Sequence, residues 1–284
     1  TDFLDNVLQD FIDKTKDLPG FERARAGAID ERSLGLGVMG LHSLLQSKMM
    51  AWESPMAKGL NMKIFKQIKA SADKHNRDHN TYGSICPMSQ RLRTNKRNIH
   101  LTAIAPTMSI SSLCNVTSSG IEPWITNAFT KKVKQGSFAI KNKYLDNVIS
   151  DYYIKNQYNL PSPMSLWTEE QWSSIKKNNG SVQHLEWMDE YTKSVFKTAF
   201  EIDQRWIIEL ASDRQPFIDQ AQSINLFIPG GSHVQLISDL HILAWKKRIK
   251  SLYYLRSTAV NRASTASNDR KQIEVEPDEC LACQ

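Results

Sequence analysis

Cysteine is scarce in this sequence: four among 284 residues, Cys86, Cys114, Cys280 and Cys283. That is too few to staple a secreted fold of this length, so a reducing, cytoplasmic setting is expected. Long apolar runs are missing too. No stretch of about 18 consecutive apolar residues occurs, which excludes a membrane-spanning helix as an expectation. The opening residues, TDFLDNVLQD, carry acids where a secretory leader carries bases. No dense Lys/Arg tract is interleaved with aromatics, so nucleic acid is not an expected partner. Ser/His/Asp constellations, HExxH and Walker A motifs are absent, as is any internal repeat. Thr1 stands where an initiator Met would, which leaves a fragment and a processed product both open.

What is present describes a globular chain. Hydrophobic residues make up 40% and charged residues 23%, proportions that can build a real core in one large or two ordinary domains. The net charge of +6 suits phosphates or acidic partners, although a solvated basic surface explains it equally simply.

Periodicity separates the elements. Phe3, Leu4, Val7, Leu8, Phe11 and Ile12 recur at helical spacing, and Leu18-Pro19-Gly20 ends that helix. Ser33–Leu45 reads as a short strand turning into a helix, and Ala57–Asn80 as a second helix with Leu60, Ile64, Ile68 and Ala72 on one face. Tyr82–Asn98 reads as a basic loop. Leu101–Ala105 is an apolar strand followed by a loop rich in Ser and Thr. Residues 124–181 read as irregular structure with short helices, and Glu186–Ala211 as one helix. Ser223–Ile228 is a strand stopped by Pro229, Gly230 and Gly231, Val234–Arg248 a helix, and Lys250–Arg256 the last strand. This alternation predicts an α/β fold. Beyond Ser257 the composition is too polar to bury itself, which predicts a mobile tail.

Four motifs could carry chemistry. Gly35-Leu36-Gly37-Val38-Met39-Gly40 matches GxGxxG, a dinucleotide signature when it joins a clean strand to a helix. Here no clean strand precedes it and no acid-tipped second strand follows about twenty residues on, so close packing of a strand–helix turn is the better reading. Ala105–Ser112 follows an apolar strand with small hydroxyl residues. Such a loop can converge backbone N–H groups and hydroxyls on an anion, or simply cap a helix; the residues alone leave both open. Tyr253 and Tyr254 are adjacent in a strand, where neighbours normally face opposite ways. The pattern favours one core and one surface ring. A stacked redox pair, passing a radical between phenols, would need a local distortion of the strand. Cys280-Leu281-Ala282-Cys283 can close a small disulfide ring or supply half a zinc site. No suitably spaced His or Cys partners lie nearby, so a dithiol on a mobile tail, exchanging electrons with disulfides, is preferred to zinc. The acids around it raise rather than lower the thiol pKa. His42 and His241 sit in apolar helical contexts and read as structural.

Taken in order, three of these stretches are similar to the C-terminal portion of the large subunit of class I ribonucleotide reductases: LTAIAPTMSISSLCNVTSSGIEP, WKKRIKSLYYLRS and the terminal ECLACQ. RSLGLGVMGL and FIDQAQSINLFI resemble that family too. The resemblance implies reduction of ribonucleotides to deoxyribonucleotides by radical chemistry. It implies a ten-stranded α/β barrel whose second half is residues 1–257, with 258–284 as a flexible redox tail. It assigns substrate phosphates to the backbone of Thr107, Met108, Ser109, Ile110 and Ser111; Met108 stands at a position that is often polar or small. It assigns radical relay to Tyr253 and Tyr254, and re-reduction of an active-site disulfide to Cys280 and Cys283. The implied partners are a metal-containing, radical-generating small subunit, the N-terminal portion of the large subunit, a second large subunit, and thioredoxin or glutaredoxin. No metal or cofactor is expected in this chain itself. The family's thiyl-radical cysteine, in an Asn-x-Cys-x-Glu setting, has no counterpart here: Cys86 and Cys114 do not fit, and the disulfide pair and nucleotide-sensing domain map upstream. The alternatives are a fragment of a cobalamin-dependent class II enzyme, which has no radical to import through tyrosines, and a non-catalytic module with a zinc-binding tail.

Overall fold

Four short extended segments lie side by side and parallel. Leu36 bridges to Thr102 and Ile104 to Gln222, and strand Leu226–Ile228 pairs in parallel with Leu255–Ser257. Backbone bonds continue the ladder between these points: Leu34 donates to His100 at 2.9 Å, Gln220 to Thr102 at 3.0 Å, and Tyr253 to Ile224 at 2.8 Å. The computed structural model describes residues 1–77, 84–133 and 136–258. Within them the spatial order of the four segments follows the chain. Helices fill each crossover, as parallel pairing requires. The arrangement is an arc of an α/β barrel, and its third strand is buried at every position, the mark of a parallel strand covered on both faces.

The outer helices pack on this arc because their apolar faces match it. Leu45, Trp52, Phe65, Ile208 and Phe227 belong to one core with the strand residues. Its partners include helices Leu41–Ser47, Pro55–Arg77, Gln204–Arg214 and Val234–Lys246. A second core lies within the crossover between the second and third strands. There an antiparallel hairpin, Ala128–Val133 with Gly136–Lys141, accompanies helices Lys143–Asn156 and Met164–Lys177 around Leu145, Ile149, Trp167, Trp172 and Phe196.

Several sequence expectations are corrected. Residues 124–181 hold the hairpin and two helices of 14 residues each, longer and more regular than the irregular structure with short helices expected there. Asn142 caps the first by accepting from the Tyr144 N–H at 3.1 Å. The helix expected over 186–211 is two, Glu190–Val195 and Gln204–Arg214. Asp189 and Asp203 each cap a new start, and between them the Ala199 N–H leaves helical pairing to bond the Trp124 carbonyl at 2.7 Å. Glu22–Glu31 is an unforeseen helix, and Pro87–Leu92 interrupts the expected basic loop. The helix over 57–80 is described as Pro55–Arg77; residues 78–80 lie outside the described chain. The last strand is only Leu255–Ser257. The tail expected over 258–284 lies outside the described residues apart from Thr258.

The first helix, Asp2–Lys14, is anchored by a buried ion cluster. Asp5, 4% exposed, accepts from Arg32 at 2.9 Å and Asn98 at 2.8 Å on one oxygen, and from Arg97 at 2.7 Å on the other. Burial alone would raise its pKa; the bonds from Asn98, Arg97 and Arg32 outweigh that and hold it below the ordinary carboxylate value.

The GxGxxG stretch is a packing device. A Cβ on Gly37 would meet the Ala103 carbonyl oxygen at 2.6 Å, and Gly40, at φ +81°, closes against Thr117. Since the obstacle at Gly37 is backbone of the neighbouring strand, Gly37→Ala is expected to cost about 1–3 kcal/mol, read as a lower urea midpoint with an unchanged slope.

Candidate functional site

The loops that follow parallel strands gather at one end of a sheet, and there the chain builds its candidate site. Pro106 and Thr107 leave the second strand, and Thr107, at φ +56°, caps the six-residue helix Met108–Leu113. The Thr107 hydroxyl oxygen accepts from the Gly120 N–H at 2.8 Å, so it ties the loop shut. Ser111 is buried; its hydroxyl donates back to the Met108 carbonyl at 3.0 Å. By helix geometry the N–H groups of Met108, Ser109 and Ile110 have no acceptor within their own helix. The glycine-rich turn braces the far side of the loop: Gly40 N–H donates to the Ser118 carbonyl at 2.8 Å, and Ser118 N–H to the Ser43 hydroxyl at 2.8 Å.

A cavity of about 630 Å³ opens beside this loop, its wall including Met108, Ser109, Ser111, Glu122, Trp124 and Arg256. Of the five loop residues singled out from the sequence, Met108, Ser109 and Ser111 reach the wall; Thr107 and Ile110 do not. Trp124 is fixed by His42, whose Nδ1 accepts from the Trp124 N–H at 2.8 Å. Complete burial pushes the His42 pKa down to about 3, so the ring stays neutral and acts as an acceptor, the structural role expected for it.

Tyr253 and Tyr254 are brought together. Their ring centroids lie 4.1 Å apart with planes at 55°, because residues 251–254 precede regular strand pairing. The two residues are 50% and 39% exposed, so the expectation of one core ring and one surface ring does not hold. They are not on the cavity wall; Arg256, which is, lies 5.5 Å over the Tyr254 ring. Cys280 and Cys283 lie outside the described residues. Of the other two cysteines, Cys86 is buried and Cys114 exposed. Among the described residues no group of three or more His, Cys, Asp or Glu side chains could hold a metal.

Glu122, Asn225 and Arg256 were not picked out from the sequence as site residues. Each sits inside a stretch that was noticed, SSGIEP, SINLFI and YYLRS, but only the fold brings the three together. Glu122 is 8% exposed. Burial pushes its pKa up to about 7, with the Arg256 charge and an Asn225 hydrogen bond pulling it part of the way back. A carboxyl whose folded pKa is raised stabilises fully below its unfolded value and loses that contribution as pH rises through the folded one. Glu122→Gln is therefore expected to gain stability relative to the parent on going from pH 5 to pH 8, by on the order of 3 kcal/mol. Urea midpoints at the two pH values check this; a gap that stays constant contradicts it.

The parallel arc, with a hydroxyl-rich loop and a cavity at its strand ends, defines part of an α/β barrel domain. The model for "Ribonucleotide reductase, barrel domain" matches residues 2–77 and 89–255, and the chain belongs to that family. It is 40% identical over 271 residues to the ribonucleoside-diphosphate reductase large subunit of Invertebrate iridescent virus 6, covering 94% of this chain and 27% of that protein. With the corresponding subunit of Invertebrate iridescent virus 3 the identity is 38%, covering 91% and 39%. Among solved structures it is similar to the Actinobacillus ureae class Id ribonucleotide reductase alpha subunit, with a TM-score of 0.78 and 35% identity over 91% of this chain and 45% of that one. The chain thus spans less than half the length of each of these relatives.

Proposed function

We propose that this chain is the C-terminal portion of a ribonucleoside-diphosphate reductase large subunit and works in the reduction of ribonucleotides to deoxyribonucleotides. The observation that carries the reading is the tyrosine pair, in contact at 4.1 Å between tilted rings and linked through Arg256 to the loop-bound cavity. In this reading the N–H groups of Met108, Ser109 and Ile110 receive the substrate's phosphates at the helix start, with Thr107 and Ser111 shaping the loop. Tyr253 and Tyr254 exchange a hydrogen atom: the O–H bond of one phenol breaks as that of the other forms, so the first is oxidised by one electron to a phenoxyl radical and the phenoxyl radical of the second is reduced to a phenol. The radical comes from a metal-containing small subunit, and the cysteine that attacks the sugar from the N-terminal portion of the large subunit. Large subunits pair as a homodimer in the cytoplasm. Among the described residues no helix is long and apolar enough to cross a membrane.

Cys280 and Cys283 return two electrons per turnover. Their thiolates reduce the active-site disulfide by exchange and are themselves left as a disulfide, which thioredoxin or glutaredoxin reduces. In a complete large subunit carrying this sequence, Cys280→Ser with Cys283→Ser is expected to abolish multiple turnovers driven by thioredoxin while sparing a single pre-reduced turnover. Unchanged steady-state turnover in that assay sinks the shuttle role.

A further inference from the structure

The cavity and the tyrosine pair are joined by a polar cluster that neither phosphate binding nor the relay has used. Glu122 Oε1 accepts from Asn225 Nδ2 at 2.6 Å. The other end of the same amide, Asn225 Oδ1, accepts from the Tyr254 backbone N–H at 3.0 Å. Asn225 is buried, so both bonds are shielded from water and hold the chain at Tyr254 to the cavity wall. Arg256 lies over the Tyr254 ring; its Nε is buried without a hydrogen-bond partner. Among the described residues lining the cavity, Glu122 is the only acid and Arg256 the only Lys or Arg. One negative and one positive group therefore meet beside Tyr254, the first reaching its backbone through Asn225 and the second lying over its ring.

We propose that Glu122 is a positioning residue for Tyr254: through Asn225 it fixes the backbone of the tyrosine, and its charge offsets that of Arg256 so that the phenol can be oxidised. The inference rests on the reading that Tyr254 carries a radical. The physical ground is the sign of the two fields. A guanidinium over an aromatic face is attracted to the electron-rich ring. A phenoxyl radical is electron-poorer, so the cation favours the reduced phenol and resists its oxidation. The carboxylate screens that cation. Glutamine keeps the length of the side chain and an oxygen that accepts from Asn225 Nδ2, so Glu122→Gln is expected to fold.

The test uses the complete large subunit assembled with its small subunit and a ribonucleoside diphosphate, with 3-aminotyrosine in place of Tyr254 as a radical trap read by electron paramagnetic resonance. In the parent background the trapped radical accumulates. Glu122→Gln is expected to lower its yield roughly tenfold, equivalent to about 1.4 kcal/mol. Arg256→Gln raises the yield, and the double substitution returns it towards the parent. Packing damage has no reason to show such opposite signs or such rescue. A yield unchanged by Glu122→Gln overturns the proposal, as does a fall in both single variants without recovery in the double. No trapped radical in the parent would instead remove the relay reading of Tyr254, and this proposal with it.

Discussion

Tyr254→Phe is expected to abolish nucleotide reduction, with turnover falling by roughly a thousandfold or more, equivalent to about 4 kcal/mol of barrier. Phenylalanine keeps the ring, its contact with Tyr253 and its place under Arg256, and removes only the O–H bond that the proposed relay breaks. Stability and binding of the nucleoside diphosphate should therefore stay close to the parent. That combination separates a redox role from a packing role. The rings are 4.1 Å apart and half exposed, so little core is lost either way. A variant that keeps more than a few per cent of parental turnover would show that the radical does not pass through this hydroxyl.

The second large effect is on stability. Asp5→Ala leaves two guanidiniums, those of Arg32 and Arg97, and the Asn98 amide facing a cavity in a nearly dry site. Removing one partner from a buried ion cluster typically costs about 3–5 kcal/mol, far more than an exposed pair such as Lys14 with Asp10 contributes. Asp5 has a depressed folded pKa, so its contribution is present above the unfolded value of 3.8 and is lost as pH falls through the folded one. Urea midpoints should thus show a large deficit for Asp5→Ala at pH 7 that narrows on strong acidification. A deficit under 1 kcal/mol at pH 7 would mean that water reaches the site and pays for the lost carboxylate, against the burial described.

The cluster also shows why the first helix was legible while its attachment was not. The apolar spacing of Leu4, Leu8, Phe11 and Ile12 announces a helix from local periodicity alone. That Asp5 on this helix meets residues 32, 97 and 98 depends on loop closures that local sequence does not encode. The same division runs through the site. Ala105–Ser112 reads from its residue types as a loop that either receives an anion or caps a helix. Which of its groups face a ligand does not: the Thr107 hydroxyl is committed to Gly120, because Gly120 at φ +48° brings its own backbone against the loop.

The sequence by itself determined the family, through three ordered motifs, and it determined the α/β character, since buried parallel strands are short apolar runs separated by helical stretches. It also singled out Tyr253 and Tyr254 as candidates, although strand geometry argued for opposite faces. Only the tertiary structure decided that their rings meet, tilted and 4.1 Å apart, because residues 251–254 precede the regular strand Leu255–Ser257. It alone decided that the hydroxyl-rich loop and Arg256 share one cavity, and that Glu122, Asn225 and Tyr254 form one hydrogen-bonded line. Residues more than a hundred positions apart in the chain meet there through the parallel arc, and no local pattern of residues records such a meeting.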